Sequence, residues 1–538
     1  MAVLAKNQWI YSLLFLWICA WYPIFDPTVM KLAVVPLLFC TLKPDSKFAK
    51  FLFIVLVFMI GMLLQGDPYD RRFWLAEILC MGFWMLGMRH SRLNSAWFAI
   101  SCSLGALILL LAQRWELLPW QWNQHILVFD GEIMGKTNTL PSFFPTPGNM
   151  LLCFVLLTSF LKESSLKFKI SFILITIYPV IQSGSSLGTV LYLIAITHLF
   201  LDERWRLLIL SSMLSLLFVL ICLPREETLR PLKNRMLLWK PALKAIRLEA
   251  QGFAYFHKFS GSLLSPETTS RKISRNQFHP HNDLLHFGLA FGLWGVVLRL
   301  GFYLYVLYLV FKLKSGLILA LFLFQIQLTP DAMSYPTGPL FFFLLGQLHA
   351  RCFGTDQFKS PKAGLFTLRL ALGIFMIYPC AKMIQTSWQH LGLTHGHLSS
   401  EPYYPTPSYD YNQAALHMKS GDLPAAIQSL EKLDEIAPNF HDSRYLLGLA
   451  HAKQGNLTRA ADILRKWIII DPQHLHSYLL LADILKKEMK LTEAEEVLRQ
   501  GILCLPEIAI LKKELETLDS YSSSSFMLQP PQSKPSPK

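Results

Sequence analysis

Charge is scarce in this sequence. Of its 538 residues only 16% are Asp, Glu, Lys or Arg, against 53% hydrophobic, and the mean hydropathy is +0.36. Soluble globular domains carry roughly 25% charged residues, so the deficit excludes an ordinary soluble enzyme and assigns most of the chain to lipid. Acidic residues are the scarcer sign, 36 against 50 basic, for a net charge of +14. Nucleotide-binding loops are missing as well. No Gly-x-x-x-x-Gly-Lys-Ser/Thr occurs, and no Gly-x-Gly-x-x-Gly opens a helix after a strand, which sets a nucleotide-sugar donor aside. Nor do the nine cysteines form a framework. Cys19, Cys40, Cys80, Cys102, Cys153, Cys222 and Cys380 lie in or beside apolar stretches and read as core residues, while Cys352 and Cys504 stand alone, with no metal-ligand spacing. The His-Gly-His at 395–397 lacks a third ligand and reads as surface. Neither a cofactor, a metal nor a nucleic-acid partner is expected.

What is present is a succession of apolar segments. Stretches near the ~20 residues that cross a bilayer fall at about 8–25, 28–42, 51–65, 73–88, 96–113, 148–161, 168–183, 187–201, 205–223, 282–311, 316–329, 336–350 and 364–385. Several are short enough to pair as re-entrant segments, so 11–13 transmembrane helices are expected in an all-α, polytopic domain over 1–385. The first segment follows Lys6, carries Trp17 and lacks a small-residue cleavage site. It reads as an uncleaved anchor with the amino terminus in the cytoplasm. Basic residues then mark every second short connection, at Lys43, Lys47 and Lys50, at Arg89 and Arg92, at Lys162, Lys167 and Lys169, and at Arg204 and Arg206. Lys312 and Lys314, then Arg351, Lys359 and Lys362, continue the alternation. Positive charge stays inside, so these connections are cytoplasmic, and loops 114–147 and 224–280, with everything past about 386, lie opposite. Loop 224–280 breaks the rule, with eleven Lys and Arg against four Glu. Long loops follow the rule weakly, and this charge reads as functional.

Composition changes beyond 386. A Pro- and Tyr-rich linker over 386–408 gives way to a 34-residue period: Leu423, Leu457 and Leu491; Ala426, Ala460 and Ala494; Leu430, Leu464 and Leu498; Pro438, Pro472 and Pro506. This is the pattern of tetratricopeptide repeats, an α-solenoid over 409–518. The small Ala lets paired helices approach, Gly421 and Gly455 take the turn between them, and the Pro ends the second helix. Met489 stands where the third repeat should have its glycine. From 409 to 519 there are thirteen Lys and Arg against seventeen Asp and Glu, so the repeats carry 13 − 17 = −4 and the basic excess belongs to the membrane part. A helix over about 507–518 caps the stack, and the Ser- and Pro-rich residues 519–538 are expected to be disordered. The module binds a protein partner and does no chemistry.

The most specific stretch is His279-Pro-His-Asn-Asp-Leu-Leu-His-Phe-Gly-Leu-Ala-Phe-Gly-Leu-Trp-Gly295, where a polar cluster runs into a glycine-spaced apolar helix. It resembles the O-antigen ligase and polymerase superfamily, in which His-Asn-x-x-Leu precedes a helix with a Gly-x-x-Gly pair, here Gly292 and Gly295. Arg235-Met-Leu-Leu-Trp-Lys-Pro-Ala-Leu is similar to the family's Arg-x-x-x-Trp-x-x-Ala-Leu segment, and Pro147-Gly-Asn149 to its Pro-Asn helix start. The resemblance covers roughly 130–350. The chain departs from the family at Leu187, where an arginine is common, and at Ala290, where an acidic residue often partners the loop.

The resemblance implies a metal-independent glycosyl-transfer enzyme of the bacterial inner membrane. It would move a glycan from an undecaprenyl-diphosphate-linked donor to a hydroxyl of lipid A core or of a protein on the periplasmic face. A polymerase of the same superfamily shares these motifs, and a non-enzymatic scaffold or transporter with a docking domain is the rival from another class. Local chemistry fits a diphosphate: without a metal its charge must be met by guanidinium and ammonium groups. Imidazole has a suitable pKa to take a proton from the attacking hydroxyl. The roles expected are His281 at the reacting hydroxyl, Arg235 on the leaving diphosphate, Asn282 on the loop or a sugar hydroxyl, and Arg230, Arg271 and Arg275 as further diphosphate ligands. Plainer readings stand beside them. His281 serves equally as an interfacial residue with Asn282 or Asp283 capping the helix, Arg235 as an anchor to anionic headgroups, His279 and His286 as packing groups, and Arg299 and Arg369 as snorkelling or paired intramembrane charges.

Overall fold

The computed structural model describes residues 47–65, 67, 71–89, 96–114, 126–127, 133–134, 147–182, 186–201, 225–253, 255–263, 280, 282–313, 318–320, 323, 337–353, 363–394, 403 and 406–527. Within them the chain is almost wholly helical, with two two-residue strands at Ile126–Leu127 and Ile133–Met134. It divides into two compact units, one of residues 1–125, 133–256 and 278–406 and one of residues 126–132, 257–277 and 407–538, each described by itself below.

In the first unit, α1 (Lys47–Gln65), α2 (Arg71–Arg89), α3 (Ala96–Arg114), α4 (Pro147–Leu157), α5 (Leu166–Gln182) and α6 (Ser186–Leu201) fall on the expected apolar segments. The amphipathic α7 (Arg225–Ala245) follows, then the short α8 (Tyr255–Leu263), whose residues from His257 onward belong to the second unit, and then α9 (Asp283–Leu313), α10 (Thr337–Phe353), α11 (Ala363–Phe375) and α12 (Ile377–Thr394). The segments expected at 8–25, 28–42 and 205–223 lie outside the described residues. So does most of the segment expected at 316–329. Among the described helices one apolar stretch, Asp283–Leu313, passes by length and composition for a membrane span, but it is bent at Gly292. Lys50–Gln65, Glu77–Met88, Ala96–Ile108, Leu151–Phe160, Gly188–Phe200 and Ala371–Lys382 are apolar but shorter.

The core is built on α2 and α10, which pack backbone against backbone. A Cβ at Gly87 would meet the Phe343 carbonyl oxygen at 1.9 Å, and one at Gly346 would meet the Trp84 oxygen at 2.1 Å, so glycine is required at both. Phe83, Trp84, Phe342 and Phe343 are buried around this seam. The segment expected to be a free linker is partly pinned. Tyr403 donates its N–H to Thr386 Oγ1 (2.8 Å), its carbonyl accepts from Arg71 (2.5 Å), and its ring lies under that guanidinium at 4.3 Å.

In the second unit, α13 (Pro407–Ser420) and α14 (Leu423–Ile436), α15 (Ser443–Lys453) and α16 (Leu457–Ile470), and α17 (Leu475–Lys487) and α18 (Leu491–Cys504) form three helix pairs. Ala426, Ala460, Ala494, Leu430, Leu464 and Leu498, the residues of the period, are each 0% exposed. Close approach is strict at Gly448, where a Cβ would come 2.9 Å from Leu464 Cγ. Gly421 and Gly455 take φ of +82° and +91° in the turns, and Met489 adopts the same left-handed conformation at +61°. The last helix, α19 (Ala509–Met527), buries Leu511 and Leu518 against the third pair. It runs nine residues beyond the boundary expected at 518, because Ser does not stop a helix as Pro does; residues 528–538 lie outside the described ones.

Candidate functional site

The helix carrying the His-Asn motif is not one rod. Gly292 has φ 67° and ψ −156°, a conformation open essentially to glycine alone, and the chain reverses there. Arg299 Nε lies 2.6 Å from Asp283 Oδ2, although the two are sixteen residues apart. Along a straight helix that separation is about 24 Å. The first arm, 283–291, and the returning arm, 293–313, therefore form a helical hairpin. Its small residues allow the contact: a Cβ at Gly288 would meet Val296 Cγ2 at 2.8 Å, and one at Gly295 would meet the Phe287 oxygen at 2.1 Å.

The open end of the hairpin holds a buried charge pair. Arg299 gives Nε and Nη2 to the two oxygens of Asp283 (2.6 and 3.1 Å), the Tyr303 hydroxyl donates to Oδ2 of the same carboxylate, and Glu77 on α2 acts on both partners electrostatically. The side chains of Arg299 and Asp283 are 6% and 9% exposed. Removing two charges from water costs several kcal/mol per ion, offset only where geometry and further hydrogen bonds are good. Here both are met, and the guanidinium also covers the Phe287 ring at 4.0 Å. Of the two readings of Arg299, pairing is the one observed. Asn282 is the helix cap, its Oδ1 accepting from Leu285 N at 2.9 Å.

The hairpin tip is gripped by the segment that leaves α7. Breaking the helix frees the Ala290 carbonyl, which accepts from both Gln251 N and Gly252 N (2.9 Å each), while Leu293 N donates to the Arg247 carbonyl at 3.0 Å. Ile246 packs on Gly288. Phe253 adds a stacked contact with His286 at 5.6 Å and edge contacts with Phe291 and Trp74, so His286 is a packing residue.

On α7, Arg235, Leu238 and Ala242 follow one face, with Leu238 and Ala242 buried. Arg235 is half-buried and has no ion-pair partner among the described residues; burial lowers its pKa from the ordinary arginine value. One turn on, Trp239 Nε1 is buried without an acceptor among those residues. A dehydrated cation beside an unmet donor suits an anionic or polyhydroxyl ligand. Arg230 lies on the same helix, its side chain outside the described residues, as are His279, His281, Arg271 and Arg275 altogether. What the structure brings together is Asn282 with the Asp283–Arg299 pair at one end of the hairpin, and the foot of the Arg235 helix at the other. Among the described residues no cluster of three or more His, Cys, Asp or Glu is placed to hold a metal. Cys80, Cys102, Cys153 and Cys380 are buried. The Asp283–Arg299 partnership was not found from sequence, although an arginine inside an apolar stretch was its signal.

Residues 419–501 match the family described as anaphase-promoting complex, cyclosome, subunit 3, a span that falls within the three helix pairs. No curated protein matches the chain. The carboxy-terminal unit is thus a tetratricopeptide-like repeat domain.

Proposed function

We propose that this chain is a polytopic inner-membrane enzyme that transfers an undecaprenyl-diphosphate-linked oligosaccharide to an acceptor hydroxyl on the periplasmic face. His281 acts at that hydroxyl and Arg235 on the leaving diphosphate. Asn282 holds the loop or a sugar hydroxyl, and Arg230, Arg271 and Arg275 complete the anion site. One observation carries the reading: the backbone bonds of Arg247, Gln251 and Gly252 to the hairpin fasten the Arg235 helix and the His-Asn helix into one body. Two chemical roles then share one frame. Membrane embedding is supported by outward apolar stripes at helical spacing, as at Leu166, Ile170, Leu174, Ile177 and Ile181, 45–69% exposed. Repeats of this type commonly bind proteins, and here they recruit the acceptor or a partner enzyme.

Glycan transfer in membranes from cells lacking their own ligase tests this, comparing the parent with His281→Ala and Arg235→Ala at matched abundance. Loss of the base should lower transfer by about 10²-fold or more. Undiminished transfer by both variants refutes the site. If sugar is added to growing glycan instead of lipid A core or protein, the chain is the polymerase. A scaffold, the reading the repeat domain favours by itself, would tolerate His281→Ala and fail on deletion of the repeats.

A further inference from the structure

We propose that Asp283 is a positioning residue, and that its grip by Arg299 and Tyr303 fixes the start of the His-Asn helix independently of the donor-binding helix. The inference rests on the glycan-transfer reading for its kinetic consequence, and on the hairpin alone for its geometry. The first arm has nine residues, about 13 Å of helix, and is fastened at two ends by different chemistry. At the tip, Ala290 and Leu293 are held by backbone hydrogen bonds to Gln251, Gly252 and Arg247, residues that follow directly on α7 and therefore on Arg235. At the open end the arm is held by side chains, Asp283 with Arg299 and Tyr303. Removing the side-chain clasp leaves the tip bonds and the packing of Ile246 on Gly288 and Phe253 on His286 in place, and frees the first turn of the arm. The Asn282 cap then loses its fixed position while the Arg235 helix keeps its own. Misplacement of a catalytic group by about 1 Å costs on the order of 10²-fold in rate.

The signature is a split between kinetic constants. Asp283→Asn alone deprives a buried guanidinium of its hydrogen-bonded carboxylate and risks the fold, so the main variant is Asp283→Asn/Arg299→Gln, which removes both charges of the pair. Tyr303→Phe, which deletes one donor, should give an intermediate fall. With full-length protein in membranes and an undecaprenyl-diphosphate-linked oligosaccharide as donor, the double variant should lose tenfold or more in kcat with donor KM within threefold. Spin labels at Leu284→Cys and Leu300→Cys, in a background without other cysteines, supply a second readout that needs no turnover. Their distance distribution should be narrow with the clasp and broad without it. Parental kcat in the double variant overturns the proposal, as does an unchanged distance distribution. If the parent transfers no glycan, the functional reading falls, and the spin-label arm still decides whether the clasp fixes the helix start.

Discussion

Gly292→Ala should open the hairpin tip without unfolding the protein. A Cβ there would stand 2.5 Å from the Leu248 carbonyl oxygen and 2.6 Å from that of Arg247, both backbone atoms that cannot turn aside. The φ of 67° with ψ of −156° adds strain of about 1–3 kcal/mol for a residue with a side chain. Moving the 247–252 segment away forfeits its bonds to Ala290 and Leu293, three in all, each worth roughly 1 kcal/mol net. Together the local cost is about 5 kcal/mol, comparable with the stability of a whole domain. Because the tip bonds can break while the α2–α10 seam stays intact, the expected response is local. Hydrogen exchange followed by mass spectrometry should show the amides of Gln251, Gly252 and Leu293 losing protection by about 10³-fold, at about 1.4 kcal/mol per tenfold. Gly301→Ala is the matched control. Gly301 sits on the returning arm with nothing within 4 Å of its would-be Cβ, so the substitution should stabilise that helix by about 0.5–1 kcal/mol. Unchanged protection at Gln251 and Gly252 in Gly292→Ala would refute the claim that the bend requires glycine.

Two predictions concern the repeats. Met489, at φ +61°, carries a left-handed penalty of about 1–2 kcal/mol, and glycine would lose roughly 0.5–1 kcal/mol of that gain to its freer unfolded chain. Met489→Gly should therefore slow exchange in α17 and α18 several-fold, and faster exchange would contradict the turn assignment. His451 is 8% exposed with both ring nitrogens unpartnered, and burial lowers its pKa. A depressed histidine favours the neutral form in the fold, so its contribution is complete above the unfolded value of about 6.5 and is lost as pH falls through the lower folded value. Unfolding of the repeats should become easier from pH 7 to 5. His451→Leu, the residue found one repeat later as Leu485, should flatten that dependence, and an unaltered slope would clear His451 of the effect.

The repeat period was legible because each position in it answers a packing demand that recurs. Ala426, Ala460 and Ala494 meet the same neighbouring helix three times, and the pattern survives Met489 because backbone geometry tolerates one strained turn. The hairpin was not legible, since hydropathy sums apolar residues and cannot register a positive φ at Gly292. The same blindness hid the Asp283–Arg299 pair, whose partners become neighbours only after the chain reverses. At the bend, side-chain identity carries no signal at all: Ala290 is apolar, yet its carbonyl, freed by the bend, takes two hydrogen bonds. Of the site residues, Asn282 was identified as a possible cap and is one. Arg235 was singled out by the arginine–tryptophan spacing of its helix, while its partial burial, with no ion-pair partner among the described residues, follows only from the way Leu238 and Ala242 turn that helix face inward.

The glycine seam between α2 and α10 bears on how the first unit can move. Helices sliding past one another usually do so by small side-chain rearrangements in the layer that separates them. At Gly87 and Gly346 there is no such layer, because main chain touches main chain. At those two positions there is no rotamer to exchange, and the pair behaves as a stiff keel to which the buried rings of Phe83, Trp84, Phe342 and Phe343 are fitted. Any rearrangement during a working cycle must then carry α2 and α10 together.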